Sequence, residues 1–429
     1  MPAERLYTWR YAPPFMRPPF PITAGNMRVL GLVGVASLLS GYDVQIFGLV
    51  AKQFLAEFGR ETAATGPTVA LFRMGVFGAL ALCLLADVIG RRALLLLTMA
   101  GMALGTLATA FAPTFETAVA AQFVTRVFAY AEDMLCIVVI AEEIEERSRG
   151  WAIGVLAALG ALGAGVAILT FAAVDILPHG WRGIYVIGAV PLLLLAWMRR
   201  GLPETRRFQA MRAARERRQG ARDMWRPITT LLRLYPFRAA HIMGIAFLFA
   251  FGTAPAIILL PTYLQSDRAF APWMVTAIYI GTGLFGLLVS IAIGRVSDKV
   301  GRRPVMVTGL LLATAGFAAL YAAEAVWLIV VGVLFGIFSQ LTVNTQYEAV
   351  TAEIFPTAYR ATASALRYIG GIVGGSVSLL LHGTVLTEPF GFAGAVLILL
   401  MPLPLAILGV LLLPETAGRR LEDITPETA

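Results

Sequence analysis

Asp87-Val88-Ile89-Gly90-Arg91-Arg92 is written a second time in this chain as Asp298-Lys299-Val300-Gly301-Arg302-Arg303, 211 positions later. Two other motifs repeat at the same distance. Glu142, with Arg149 seven residues on, returns as Glu353 with Arg360, and Pro203-Glu204-Thr205 returns as Pro414-Glu415-Thr416 (142 to 353, 203 to 414). Three motifs at one offset mean that the chain is a duplicated unit. Each motif sits at the edge of a long apolar stretch, so the duplicated unit is a membrane bundle.

Composition agrees. The 429 residues are 58% hydrophobic and only 14% charged, with a mean hydropathy of +0.78. A water-soluble domain carries about a quarter charged residues, so this chain has too little polar surface to face water all round. Apolar segments near the length of about 20 residues that spans a bilayer fall at 27–50, 66–86, 93–112, 115–141, 151–176 and 181–200 in the first half. The second half gives 237–263, 272–296, 304–323, 325–352, 361–386 and 390–413.

A formal charge of +8 raises the question of nucleic acid, but its placement answers it. Arginines cluster before span 1, after spans 2 and 4, in the connection after span 6 (Arg206, Arg207, Arg212, Arg215, Arg217, Arg218, Arg222, Arg226), and after spans 8 and 12. The alternate loops hold little beyond Lys52, Arg60, Arg182 and Arg268. This is the positive-inside pattern of an inner-membrane protein with both termini in the cytosol. The expected organisation is a mobile cytosolic tail over 1–26, a six-helix bundle over 27–200, a basic cytosolic loop over 201–236, a second six-helix bundle over 237–413 and a cytosolic tail over 414–429. The two cysteines, Cys83 and Cys136, lie within spans and read as small buried apolar residues.

Two six-span halves joined by a basic loop resemble the major facilitator superfamily. The resemblance covers 27–413 and is carried most specifically by Asp87-x-x-Gly90-Arg91-Arg92 and its copy. Glu-(x)6-Arg and Pro-Glu-Thr resemble the sugar-porter and organic-acid symporter branches. It implies an all-α membrane fold of twelve transmembrane helices in two pseudo-symmetric bundles. Such transporters bind substrate near the midplane between the halves and rock the halves in alternation. For the loops it implies a cytosolic gate formed by Asp87, Gly90, Arg91, Arg92, Glu142 and Arg149 with Asp298, Gly301, Arg302, Arg303, Glu353 and Arg360. There an acidic side chain can accept from backbone N–H groups at a helix start, and the arginines can bridge to Glu142, Glu143 or Glu353. The competing reading is that these residues set only topology and turn shape.

The duplication also supplies an internal control. A charge that the fold alone requires should recur 211 positions away, and the intramembrane ones do not. Asp43 maps to Ala254, Arg73 to Leu284, Arg126 to Ile337 and Asp133 to Asn344; Arg367 maps back to Leu156 and Glu348 to Ile137. Charged groups inside a span are costly and mark pathways. Asp43, Arg126 and Arg73 each lie roughly 21–24 Å from the cytosolic ends of their spans at 1.5 Å per residue, so one acid and two bases share a layer. Gly41-Tyr42-Asp43 resembles the span-1 motif of proton-coupled sugar porters and aromatic-acid/proton symporters, in which the Asp takes up the proton and a span-4 Arg, here Arg126, modulates it. Burial disfavours the carboxylate and a neighbouring Arg favours it, and alternating access changes both. A static ion pair, or substrate contact alone, are the other readings.

Asp133, beside Glu132, is a second candidate carboxylate on the proton path or a partner for Arg367. Arg73 is a candidate ligand for a substrate carboxylate, or a partner of Asp43. Phe251, Tyr347 and Arg367 complete the candidate substrate set, against a default of membrane-core packing. Glu348, about five residues from the cytosolic end of span 10, fits a gate better than a substrate site.

Absences narrow the class. Span 7 lacks the Gln-Gln-x-x-Gly-x-Asn pattern of sugar porters, and span 5 lacks the Gly-Pro of drug/proton antiporters. No Walker motif is present, and His179, His241 and His382 form no metal-type cluster. The expectation is a monomeric, proton-coupled symporter of a small metabolite, an organic acid favoured. It needs the lipid bilayer, a small-molecule substrate and protons, with no cofactor, no metal, no nucleic acid and no enzymatic chemistry. The alternatives are a proton-driven exporter of drugs or cations, a non-transporting membrane sensor and an integral membrane enzyme.

Overall fold

In a computed structural model, residues 6–7, 17–18, 20–201, 226–356 and 359–417 are described. The side chains of Asp87 and Asp298, both expected in the gate, lie outside the described residues, as does most of the basic loop. The chain divides into two compact units: residues 1–59 with 72–219, and residues 60–71 with 220–429.

The first unit is built on α1 (Ala24–Glu57), α2 (Thr65–Ile89, whose first turns belong to the other unit), α3 (Arg91–Ala110), α4 (Phe115–Glu143), α5 (Glu146–Phe171) and α6 (Trp181–Met198). In the second unit, a short helix α7 (Arg226–Leu234) leads into α8 (Pro236–Ile258) and α9 (Leu260–Ser266). There follow α10 (Pro272–Val300), α11 (Arg302–Ala322), α12 (Val326–Glu353), α13 (Arg360–Leu381), α14 (Thr387–Leu400) and α15 (Leu403–Leu411). Among the described residues nine helical stretches are long and apolar enough to cross a membrane, and the last, Thr362–Leu411, holds two spans. With α4 and α10 this makes twelve.

Two spans are broken where the sequence reads as continuous. Span 7 breaks between α8 and α9, at Leu259 before Leu260-Pro261, and span 12 breaks at Met401-Pro402 between α14 and α15. Proline has no N–H to give and crowds the preceding turn, so a helix stops there and restarts. Span 11 ends in a π-helical turn, His382–Leu386.

Local chemistry fixes the helix starts. Thr23 caps α1 by accepting from Asn26 N–H at 3.3 Å. Thr114 and Thr117 cap α4 reciprocally. The α2–α3 and α10–α11 junctions are one residue long, at Gly90 (φ 101°) and Gly301 (φ 114°). That backbone region is open essentially to glycine alone, which explains why both copies of the motif carry one.

Two contacts are described before α1. Leu6–Tyr7 pairs antiparallel with Ile22–Thr23, and Ile22 is buried. Phe20 brackets Ser148: its N–H donates to Ser148 Oγ at 3.3 Å, and Ser148 Oγ donates back to the Phe20 carbonyl at 3.4 Å.

The core of the first unit is a cluster of α1, α3, α4, α5 and α6 side chains, including Leu30, Val33, Met99, Leu135 and Leu156. Between α1 and α5 the contact is backbone to backbone. A β-carbon on Gly41 would lie 2.1 Å from the Gly160 carbonyl, and one on Gly163 would lie 1.8 Å from that of Leu38. Small residues at such crossings are how membrane helices approach closely. The tight crossing fixes the height of α1, which carries Asp43.

Candidate proton site and cytosolic gate

Asp43 and Arg126, placed on α1 and α4, come together in the first unit. Arg126 Nη1 stands 3.6 Å from Asp43 Oδ2, with side chains 4% and 1% exposed. Arg126 Nη2 donates to the backbone carbonyl of Asp43 at 3.2 Å and reaches Gln122 Oε1 at 3.5 Å. Thr106 on α3 donates to Asp43 Oδ1 at 2.7 Å. The two facing atoms, Asp43 Oδ2 and Arg126 Nη1, make no hydrogen bond to any described residue. The pair is therefore attracted across a low-dielectric gap without a geometric lock. Tyr185 of α6, fully buried, lies within electrostatic range of both.

Asp133 is half-buried on α4, within electrostatic range of Ser40, Glu132 and Arg126. Its neighbour Glu132 is fully buried and belongs to a separate cluster. Arg199, at the end of α6, donates to Glu132 Oε1 at 2.5 Å, both side chains having no exposure. Thr98 of α3 donates to Glu132 Oε2 at 2.6 Å, and the Cys136 thiol to Oε1 at 3.2 Å. Arg199 also donates to the Leu32 carbonyl of α1 at 3.1 Å. Arg199 and Thr106 were not singled out in the sequence. The signal for Arg199 was present: Glu132 maps to Val343 and Arg199 to Val410, so both members of the pair turn apolar together in the second half.

In the second unit, Arg367 pairs with Glu348 at 3.4 Å and lies over the Tyr347 ring, 5.5 Å from its centroid. The Tyr347 hydroxyl donates to the Ile242 carbonyl of α8. Phe251 stacks on Phe247, ring centroids 5.9 Å apart. Arg73 is half-buried on α2, in the first unit. Within the second unit, Tyr347 and Arg367 are in contact and Phe251 has an aromatic partner in Phe247.

Of the residues expected in the gate, the paired arginines make matching contacts in the two copies. Arg91 donates through Nε and Nη2 to Glu142 Oε1 at 3.2 and 3.0 Å, and Arg302 pairs with Glu353 Oε1 at 3.0 Å. Arg92 donates to the Arg200 carbonyl at 2.7 Å, and Arg303 to the Leu411 carbonyl. Arg302 additionally reaches Ser297 Oγ at 2.9 Å and Gln346 Oε1 at 3.2 Å. Arg360 donates to the Phe355 carbonyl at 3.3 Å, and Arg149 is half-buried at the start of α5.

The acid seen to accept at the start of α11 is Glu415 of the Pro-Glu-Thr motif. It takes the N–H groups of Arg302 (2.8 Å) and Arg303 (3.1 Å) on one side, and those of Thr416 (3.0 Å) and Ala417 (3.1 Å) on the other. Burial works against its charge, but these four backbone donors prevail and hold its carboxyl below the ordinary glutamate range.

The sequence matches the Major Facilitator Superfamily over residues 33–290 and 242–427. The chain belongs to this superfamily. Its relatives include a probable 4-methylmuconolactone transporter of Cupriavidus pinatubonensis, 26% identical over 402 residues (90% of each chain). A gallate transporter of Pseudomonas putida is 27% identical over 426 residues, covering 91% of this chain and 92% of the relative. Among solved structures, the inward open xylose transporter XylE from E. coli superposes with a TM-score of 0.71 at 18% identity, covering 93% of this chain and 99% of that one; at that identity the likeness is one of fold. The protein is thus a multi-pass membrane transporter of a small molecule, and the superfamily to which it belongs is one of transporters, not enzymes.

Proposed function

We propose that this superfamily member is a proton-coupled symporter of a small organic acid, with Asp43 as the group that takes up and releases the proton. The observation that carries this reading is the Asp43–Arg126 pair: buried, 3.6 Å apart, and without a hydrogen bond between the facing atoms. A carboxylate locked by two guanidinium hydrogen bonds would be costly to protonate. Here Arg126 remains tethered to the Asp43 carbonyl and to Gln122, so protonation removes a charge without freeing its partner. Alternating access then changes the solvation of Asp43, and the proton loads on one side and leaves on the other.

The acid class draws support from the relatives, named for gallate and 4-methylmuconolactone transport. A ring-bearing carboxylate needs both a cation and an aromatic surface. Arg367, half-buried beside Tyr347 and paired with Glu348, is one candidate cation, and Arg73 is the other. The loop arginines support a cytosolic placement of both termini in an inner membrane. The repeated Arg91–Glu142 and Arg302–Glu353 bridges serve as the latch of each half's cytosolic end.

The test is a thermal-shift screen across aromatic and aliphatic carboxylates, sugars and amines, followed by uptake into proteoliposomes under an imposed proton gradient. Saturation at a hundredfold excess over Kd adds about 2.7 kcal/mol of stability, well within detection. Carboxylates alone should stabilise, and a protonophore should abolish accumulation. Stabilisation by sugars or amines only would remove the acid class, and protonophore-insensitive accumulation would remove the coupling.

A further inference from the structure

Helix α3 carries a ladder of polar contacts along one face. Arg91 meets Glu142, Thr98 meets Glu132, Thr106 meets Asp43, and Thr109 accepts from Gln122 Nε2 at 3.0 Å. In the second half only the first rung is repeated, as Arg302–Glu353. The inner positions are Gly309, Phe317 and Leu320 on α11, with Val343, Ile337 and Val333 standing where Glu132, Arg126 and Gln122 stand in the first half. The gate rung thus belongs to the fold, and the inner rungs belong to what the first half alone does.

The middle rung is the most constrained. Arg199 uses one guanidinium to hold Glu132 of α4 and the Leu32 carbonyl of α1 together. These two helices carry the two members of the proton site. Leu32 lies 11 residues before Asp43, roughly 16 Å along α1, and Glu132 lies six residues beyond Arg126, roughly 9 Å along α4. Arg126 and Asp43 face each other across 3.6 Å with no hydrogen bond between the facing atoms, so a slide of about 1 Å between α1 and α4 would change their interaction substantially. The Arg199 fork opposes such a slide from the Glu132 level, alongside the Arg126 bond to the Asp43 carbonyl and the Cys136 thiol on the Val33 carbonyl at 3.9 Å.

We propose that Thr98, Glu132 and Arg199 are positioning residues, which clamp α1 to α4 and thereby set the distance between Asp43 and Arg126. This rests on the reading of Asp43 as the protonation site. A planar fork can reach a carboxylate and a carbonyl at once, which an ammonium does less well. The groups that act on Asp43 are Arg126 of α4, Thr106 of α3, Tyr185 of α6 and Tyr42 of α1. Helix α5 packs against α1 but has no titratable side chain between residues 150 and 171.

The second half suggests the decisive variant, Glu132→Val with Arg199→Val, because it carries valine at both equivalent positions. Replacing a buried ion pair by apolar residues of similar volume is often neutral for stability, and the smaller valines add the cost of a cavity. The readout is infrared pH titration of full-length protein in proteoliposomes, following the carboxyl band that Asp43→Asn removes, so no substrate is needed. If the clamp positions the pair, the double valine variant folds, with unchanged circular dichroism and gel-filtration profile, and the midpoint of that band moves by about one pH unit, the scale of a neighbouring charge. Arg199→Lys moves it in the same sense. An unmoved midpoint in the folded double variant overturns the proposal and leaves Asp43 as the proton carrier. Loss of no band in Asp43→Asn overturns the Asp43 reading itself, and the clamp with it. Should the double variant not fold, Thr98→Val and Glu132→Gln are read by the same criterion.

Discussion

Asp43 Oδ2 and Arg126 Nη1 lie 3.6 Å apart in a buried site, close enough to attract and too far to hydrogen-bond well. Each is steadied from another direction, Asp43 by Thr106 and Arg126 by the Asp43 carbonyl and Gln122. The pair is therefore held without a bond between its facing atoms, the property that the proposal of Asp43 as proton carrier builds on.

Asp43→Asn should abolish accumulation driven by a proton gradient while leaving exchange of substrate down its own gradient measurable. Asparagine fills the same volume and still accepts from Thr106, but it cannot titrate. Counterflow and gradient-driven uptake in the same proteoliposomes separate the two activities; unchanged accumulation would remove Asp43 as carrier.

Arg126→Leu strands a buried carboxylate and should cost about 3–5 kcal/mol of stability. Asp43→Asn/Arg126→Leu should recover most of that loss, because Ala254 and Ile337 occupy the equivalent places in the second half. Unfolding in detergent micelles measures both. A double variant no more stable than Arg126→Leu would mean that the charges are not coupled.

Gly301→Ala should destabilise the second unit by about 1–3 kcal/mol, the scale of a strained backbone residue. Its backbone sits at φ 114°, and a β-carbon there would lie 2.7 Å from Glu415 Oε2. Thermal melting provides the comparison, with Gly281→Ala, where a β-carbon meets nothing within 4 Å, as the control.

Glu415 gives a pH dependence with a definite sign. Its folded carboxyl titrates below the ordinary value, so its contribution to stability is complete above the unfolded glutamate pKa of about 4.3. That contribution is lost as pH falls from there through the folded value. The melting difference between the native protein and Glu415→Gln should be full at pH 7 and shrink in that acid window. A difference that grows on acidification would contradict the capping role.

The sequence was informative wherever duplication could act as a control. The twelve spans, both glycine turns and the Asp43–Arg126 meeting were all legible, because motifs repeat at 211 and lone intramembrane charges do not. Helix ends at Glu57 and Glu143 run past the apolar segments, since a helix continues into the polar interface once its hydrogen bonds are formed. The break at Met401-Pro402 was hidden inside uninterrupted apolar sequence. Thr106 escaped notice because a threonine in a span usually bonds its own helix; here the Met102 carbonyl, at 2.8 Å, competes with Asp43 for its single proton. Arg199 was hidden by position: beside Arg200 at the cytosolic edge it reads as a topology signal, although its side chain turns inward to Glu132.

Phe20 and Glu415 each bond to a loop motif, and this bears on where the protein can be handled. Leu6–Tyr7 is stitched to Ile22–Thr23, Phe20 grips Ser148 at the α4–α5 corner beyond Glu142, and Glu415 holds the start of α11. A purification tag or fluorescent fusion joined close to Phe20 or Glu415 therefore loads a loop corner through a handful of hydrogen bonds. Fusions at these two places are not interchangeable controls: one beside Phe20 loads the α4–α5 corner, one beside Glu415 the start of α11, and a cleavable tag removed before assay avoids both.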